Sequence, residues 1–132
     1  MAFETIKIGD TILAIIVKHG EIKDKLNFIT PENFPLQVGI HNREKDTYVK
    51  PHRHLNYDKL ENFPVQEIFY IESGKIKVGL YHGGEKAKEI ILSKGDLIIL
   101  NSGHDVQFLE DSKMIEIKQG PYRGVEKEKV YL

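Results

Sequence analysis

The 132-residue chain carries 19 basic and 20 acidic residues for a net charge of −1, with 40% hydrophobic and 30% charged residues. That balance excludes a disordered chain and a membrane protein, and the lack of any basic block argues against a nucleic-acid-binding face. The absence of cysteine excludes disulfides and thiolate ligands, so a metal here must be held by His, Asp or Glu.

Residues 1–132 are expected to form one domain around one substantial core. Met1-Ala2-Phe3-Glu4-Thr5 lacks the basic-then-apolar order of a signal peptide, and the longest apolar run, Ile12 to Val17, is too short to span a bilayer. A cytoplasmic location is the expectation. From the N-terminus, Ile6 to Val17 reads as one or two extended pieces around a Gly9-Asp10 turn. Glu21 to Pro35 is polar, contains Thr30-Pro31-Glu32-Asn33, and reads as a loop with at most one helical turn. Leu36 to His41 is a short strand before the polar turn Asn42 to Asp46. Thr47-Tyr48-Val49 then leads into His52-Arg53-His54.

Leu55 to Pro64 reads as a surface loop, with Tyr57 and Phe63 placed to cover the mouth of a barrel. Beyond it, Glu67 to Ile71 and Lys75 to His82 flank Ser73-Gly74, a hairpin-type turn. Ile76, Val78 and Leu80 share one face of the second strand, and Lys75, Lys77 and Tyr81 the other, the alternation of a half-buried strand. Gly83-Gly84, Gly95-Asp96 and Glu110-Asp111 supply turns into Lys86 to Leu92, Leu97 to Leu100 and Lys113 to Lys118. Gln119-Gly120-Pro121-Tyr122 closes the last strand, and the charged tail to Leu132 reads as irregular. Regular turns with no helical stretch predict an all-β barrel or sandwich.

The chemistry concentrates at His52, His54 and Glu67. Two histidines at i and i+2 project from one face of an extended strand, and Glu67 on the next strand can converge on them if the two pair. Two imidazoles and a carboxylate with open coordination positions suit a divalent metal such as Fe, Mn, Zn or Ni. Glu67 also shares a strand face with Phe69 and Ile71, where a charge is expensive unless paired or metal-bound.

The arrangement resembles the cupin superfamily. That family's first motif has a His-x-His pair, then a Glu, then a Gly seven residues later; here these are His52, His54, Glu67 and Gly74. Its second motif runs Gly, five residues, Pro-x-Gly, two residues, His. Here Gly95 opens it, Asn101-Ser102-Gly103 stands at Pro-x-Gly, and the final position is Val106 with His104 nearby. The resemblance implies a single-domain cupin-type jelly-roll β-barrel and a metal held by His52, His54, Glu67 and His104. Twelve residues separate His54 from Glu67, where the family has three or four. Such a loop costs little entropy, so it bears on the entrance and substrate rather than the fold. A shift of two residues along a strand is about 6–7 Å, against a metal–nitrogen bond of about 2 Å, so His104 ligates only if the preceding turn is reshaped. Without it, His52, His54 and Glu67 remain as a facial triad.

The resemblance further implies a metal-dependent enzyme on a small polar metabolite, with carbohydrate favoured and isomerisation or epimerisation as the reaction. A non-haem iron dioxygenase and a non-catalytic sugar- or metal-binding sensor are the alternatives, discriminated by a polar group near an open metal position. Glu116 is the candidate base. Lys118 and Tyr70, with Tyr122, are candidate pocket residues, although Glu116 and Lys118 equally fit a solvent-facing stripe. His19, His41 and His82 fall beside turns and read as solvated. Gly74, Gly95 and Gly103 read as turn glycines with positive φ. A homodimer is also implied, with the Ile6 to Val17 edge as its contact, since an exposed edge strand needs cover. No nucleic-acid or membrane partner is expected.

Overall fold

The computed structural model describes residues 3–20, 26–55, 63–121, 123–124 and 130–132. These described residues form ten strands: β1 Phe3–Ile8, β2 Thr11–Val17, β3 Leu26–Phe28, β4 Gly39–His41, β5 Glu67–Ser73, β6 Lys75–His82, β7 Glu85–Ser93, β8 Leu97–Leu100, β9 His104–Phe108 and β10 Lys113–Lys118. Among the described residues there is no helix, and so none long and apolar enough to cross a membrane. The all-β expectation holds. The expected barrel does not: the strands form an antiparallel five-stranded sheet in the order β1-β2-β8-β5-β10, a three-stranded sheet β7-β6-β9, and the hairpin β3-β4. Each larger sheet ends in strands with no further strand beside them among the described residues, so neither closes on itself.

Alternation explains the layers. In β6, Ile76, Val78 and Leu80 turn one way, and they meet Ala14 and Ile16 of β2, Phe69 and Ile71 of β5, and Ile98 and Leu100 of β8 across the space between the two larger sheets. The opposite face of the five-stranded sheet is also apolar. Ile15, Val17, Ile68 and Ile99 pack there under Ile29, Phe34, Leu36, Val38 and Ile40. The β3-β4 hairpin and the 29–38 connection therefore act as a lid on the central sheet. Leu13 departs from strict alternation because the β1–β2 register slips between Ile6 and Lys7. The extra residue turns it into the main core beside Ala14, leaving Ile12 with the second cluster.

The tight turns behave largely as the glycines predict. Gly74, between β5 and β6, has φ 92° and Gly95 has φ 86°. Gly103 is a correction, because it is absent from the residues with positive φ. A Cβ there would instead lie 2.6 Å from Leu132 Cδ1, so the constraint is close approach of the C-terminal leucine. The histidine segment is the larger correction. Thr47 to Leu55 belongs to no strand and is exposed throughout, so His52 and His54 are not held on a sheet. Their flanking residues explain this: Tyr48 and Val49 are apolar but unburied, and Pro51 supplies no N–H to a ladder. Sequence reading also passed over β3, which lies inside the stretch taken for a loop.

Asp96 locks the turn before β8. Its carboxylate accepts the N–H groups of Ser93 at 2.8 Å and His19 at 3.1 Å and the Lys18 ammonium at 3.0 Å, tying the exit of β2 to the entry of β8. Burial pushes its pKa up, but the two backbone donors and Lys18 outweigh this and hold it below the ordinary carboxylate range. A lowered folded pKa contributes stability that is complete above the ordinary carboxylate pKa and is lost as pH falls through the folded value. Asp96→Asn is expected to cost about 2–3 kcal/mol at neutral pH. In urea titrations that gap should narrow at the acid end, as the wild-type carboxylate becomes protonated.

Candidate metal centre

The four expected ligands stand as two separate pairs. Glu67 begins β5 and His104 begins β9, on opposing sheets, and both turn into the sandwich at its open end. His104 Nε2 lies 3.7 Å from Glu67 Oε1, with both side chains about one-fifth exposed. The Phe69 ring stands edge-on to His104 at 5.8 Å, forming an apolar wall beside the pair. His104 and Val106 share a face, opposite Leu80 and Val78 of β6, so the parity expected for His104 is correct.

The other pair is His52 and His54, whose rings meet edge-to-face at 5.3 Å on the exposed 47–55 segment. Among the described residues no group of three or more His, Asp or Glu side chains is gathered as one ligand sphere. The expected ligands therefore stand as two separate pairs rather than as one four-ligand set.

The two histidines share a detail that sequence reading missed. His104 Nδ1 lies 2.9 Å from the Ser102 carbonyl, and His52 Nδ1 lies 2.9 Å from the Lys50 carbonyl. A carbonyl only accepts, so each Nδ1 carries the hydrogen, and in the neutral ring each Nε2 is left with its lone pair. That is the tautomer and outer-shell orientation that metal-ligating histidines adopt. At His104 this leaves Nε2 as the ring atom that faces the Glu67 carboxylate.

The remaining candidates separate by face. Glu116 is the register partner of Phe69 and Lys118 that of Glu67, so both lie on the inner side of the sheet while remaining exposed at its margin. Tyr70 alternates to the opposite face, 37% exposed, and does not border Glu67. His19, His41 and His82 are exposed; the His19 ring packs where a Gly95 side chain would be. Phe63 lines a cleft of about 790 Å³ with Phe34, Val65, Pro121 and Arg123, beside the hairpin layer. Tyr57, Tyr122 and most of the 55–64 loop lie outside the described residues.

A buried amide network sets the floor of this region. Gln66, fully buried, donates from its side chain to Asn101 Oδ1 at 2.9 Å, accepts the Leu36 N–H at 3.2 Å, and donates its own N–H to Gln119 Oε1 at 2.6 Å. Asn101 donates onward to the Ile12 carbonyl at 2.9 Å, while its backbone N–H reaches the Leu13 carbonyl at 3.0 Å. Asn101 is the residue that stands where the cupin motif has proline. Proline could make neither bond, so the substitution has a physical reason in this chain. Nothing in the periodicity marks Gln66 and Gln119 as partners, since the contact is long-range and polar.

No family model matches the chain, and no curated protein or solved structure matches it either.

Asn101→Pro, although it restores the motif, is expected to destabilise the fold by about 3 kcal/mol, as the backbone donor to Leu13 is lost and the buried Gln66 side-chain NH2 loses its acceptor. Thermal unfolding beside the milder Asn101→Ser checks this. A Pro variant as stable as wild type would remove the network from the account.

Proposed function

We propose that this chain is a small cytoplasmic metal-binding protein of the cupin type, in which His52, His54, Glu67 and His104 hold one divalent cation. The observation that carries the reading is the meeting of His104 Nε2 and Glu67 Oε1 at 3.7 Å from opposing sheets, inside the sandwich. An imidazole nitrogen and a carboxylate oxygen converging at a half-buried position are a donor pair of the kind divalent cations take.

Two further features support it. First, the chain alternates between the two larger sheets from β5 to β10: β6 and β7 lie in one, β8 returns to the other, β9 goes back and β10 returns. Such alternation between two sheets supports the jelly-roll reading. Second, β9 pairs only with β6 among the described strands, so its other edge is open beside His104. An extended 47–55 segment laid along that edge would present His52 and His54 on one face and supply the missing half of the ligand set. Metal binding and ordering of this segment would then be one event, with the cation contributing folding free energy locally.

A bound metal would act as a Lewis acid toward substrate oxygens or a water. Around it, Phe69 supplies an apolar wall, while Glu116 and Lys118 place a carboxylate and an ammonium on the same face of the sheet. That mixture suits a hydroxylated metabolite, with carbohydrate the favoured class and Glu116 the group placed to move a proton.

Elemental analysis after purification without chelators, followed by zinc titration, tests the reading. Wild type should hold one equivalent, and His52→Ala and Glu67→Gln should each lose it. Retention in His52→Ala would sink the proposal, and loss in His52→Ala with retention in His104→Ala would reduce the site to three ligands. Amide exchange in His104–Phe108 should slow on metal addition if the segment docks on β9; unchanged exchange would leave ligation without strand docking.

A further inference from the structure

Among the described residues the five-stranded sheet ends at β10, and the character of this edge is unusual. Along β10, Met114 packs into the main core, while Ile115 and Ile117 turn to the outer face and are 49% and 50% exposed. Tyr70, opposite Ile115 on β5, extends the same apolar strip. Ile68, opposite Ile117, is already buried under the hairpin layer, so the strip runs outward from covered core to open edge. Exposed isoleucines on an end strand are a template for pairing with another strand. The other end of the sheet is defended: β1 exposes Glu4, Thr5 and Lys7, carries a register slip at Ile6/Lys7, and has Glu4 3.8 Å from Lys88.

We infer that β10 is a self-association edge, on which a second copy of this chain adds its own β10 antiparallel to form one sheet through both molecules. The inference does not rest on the metal reading. Symmetry narrows the register. A two-fold axis relating two antiparallel strands of one sheet stands perpendicular to it, so outer residues face outer and inner face inner. The axis must then pass beside a residue, and three positions centre the ladder on this strand. Centring on Glu116 sets Glu116 against its own copy, a like-charge contact. Centring on Ile115 sets Met114 against Glu116, an apolar side chain against a charge. Centring on Ile117 stacks Ile117 on itself on the outer face and sets Glu116 opposite Lys118 twice on the inner face. This last register also brings Ile115 opposite Gln119, and it alone of the three pairs opposite charges across the seam. It moves the expected contact from Ile6–Val17 to the opposite end of the sheet.

Sedimentation equilibrium over a dilution series tests the inference, with circular dichroism to show that each variant is folded. Wild type should reach twice the 15.2 kDa chain mass, and Ile117→Lys should fall to the single-chain mass. Glu116→Lys and Lys118→Glu should each weaken association, and the double swap should restore it, which a general loss of folding could not imitate. The chain has no cysteine, so Ile117→Cys should cross-link to its copy under mild oxidation, whereas Ile8→Cys on β1 should not. A wild type that stays monomeric up to its solubility limit overturns the inference. So does a dimer that survives Ile117→Lys, or a double swap that associates no better than the single variants.

Discussion

The central strands β2 and β8 are apolar on both faces, and a sheet built around them must be covered twice. Ala14, Ile16, Ile98 and Leu100 need one partner layer, and Ile15, Val17, Leu97 and Ile99 need another. At about 1.5–3 kcal/mol for each fully buried aliphatic side chain, leaving either face wet would cost an amount comparable with the whole net stability of a domain. The three-stranded sheet meets the first need, and the 29–38 connection with its short hairpin meets the second. Both covers have margins. Where they run out along β5, the residues change character: Ile68 is covered, Tyr70 is exposed, and Glu67 sits at the open end of the inner face.

Glu67 and His104 follow from that margin. Each is the first residue of its strand, close enough to the end of the sandwich to keep partial hydration and deep enough to face its counterpart. The local bond from His104 Nδ1 to the Ser102 carbonyl orients the ring from within its own turn, independently of any ligand. The floor beneath is held by amides. Gln66 and Asn101 satisfy one another and three backbone or side-chain groups from β2, the 29–38 connection and the end of β10. A neutral network of this kind carries no charge of its own into the core, so its stability cost lies in keeping every partner present.

Most strands were legible because their alternation was unambiguous. Ile76, Val78 and Leu80 against Lys75, Lys77 and Tyr81 admit one orientation, and the glycine turns bound the pieces. Where legibility failed, the signal was local while the cause was not. The spacing of His52 and His54 fits a strand, yet a strand needs a neighbour, and no pattern within 47–55 says whether one is present. The faces of β10 were ambiguous for a similar reason. Ile115 and Ile117 alternate with Glu116 and Lys118, and periodicity alone cannot say which set turns toward the other sheet. The β5 register decides it, placing the charged pair inside and the isoleucines outside. Asn101 was read as a departure from a motif, and only its bonds to the Ile12 and Leu13 carbonyls show why asparagine is needed.

The β9 and β10 edges differ in what they can accept. The free side of β9 begins at His104 and continues through Asp105 and Gln107, with Asp105 already engaged by the Tyr81 hydroxyl at 2.5 Å and the Lys86 ammonium at 3.2 Å on the outer face. Those contacts fix the strand from one side and leave its edge polar, suited to a segment rich in His, Arg and Lys such as 47–55. Gly79 is part of the same arrangement, because a Cβ there would come within 2.7 Å of Asp105 Oδ1, and its N–H donates to that oxygen. The β10 edge presents isoleucine instead, and its charges alternate so as to complement their own copy. Backbone pairing alone would not distinguish these edges, since every open strand offers the same donors and acceptors. Side-chain chemistry separates them, one edge suiting the proposed docking of the histidine segment and the other the proposed second molecule. The fold can therefore leave both open without either competing for the other's partner.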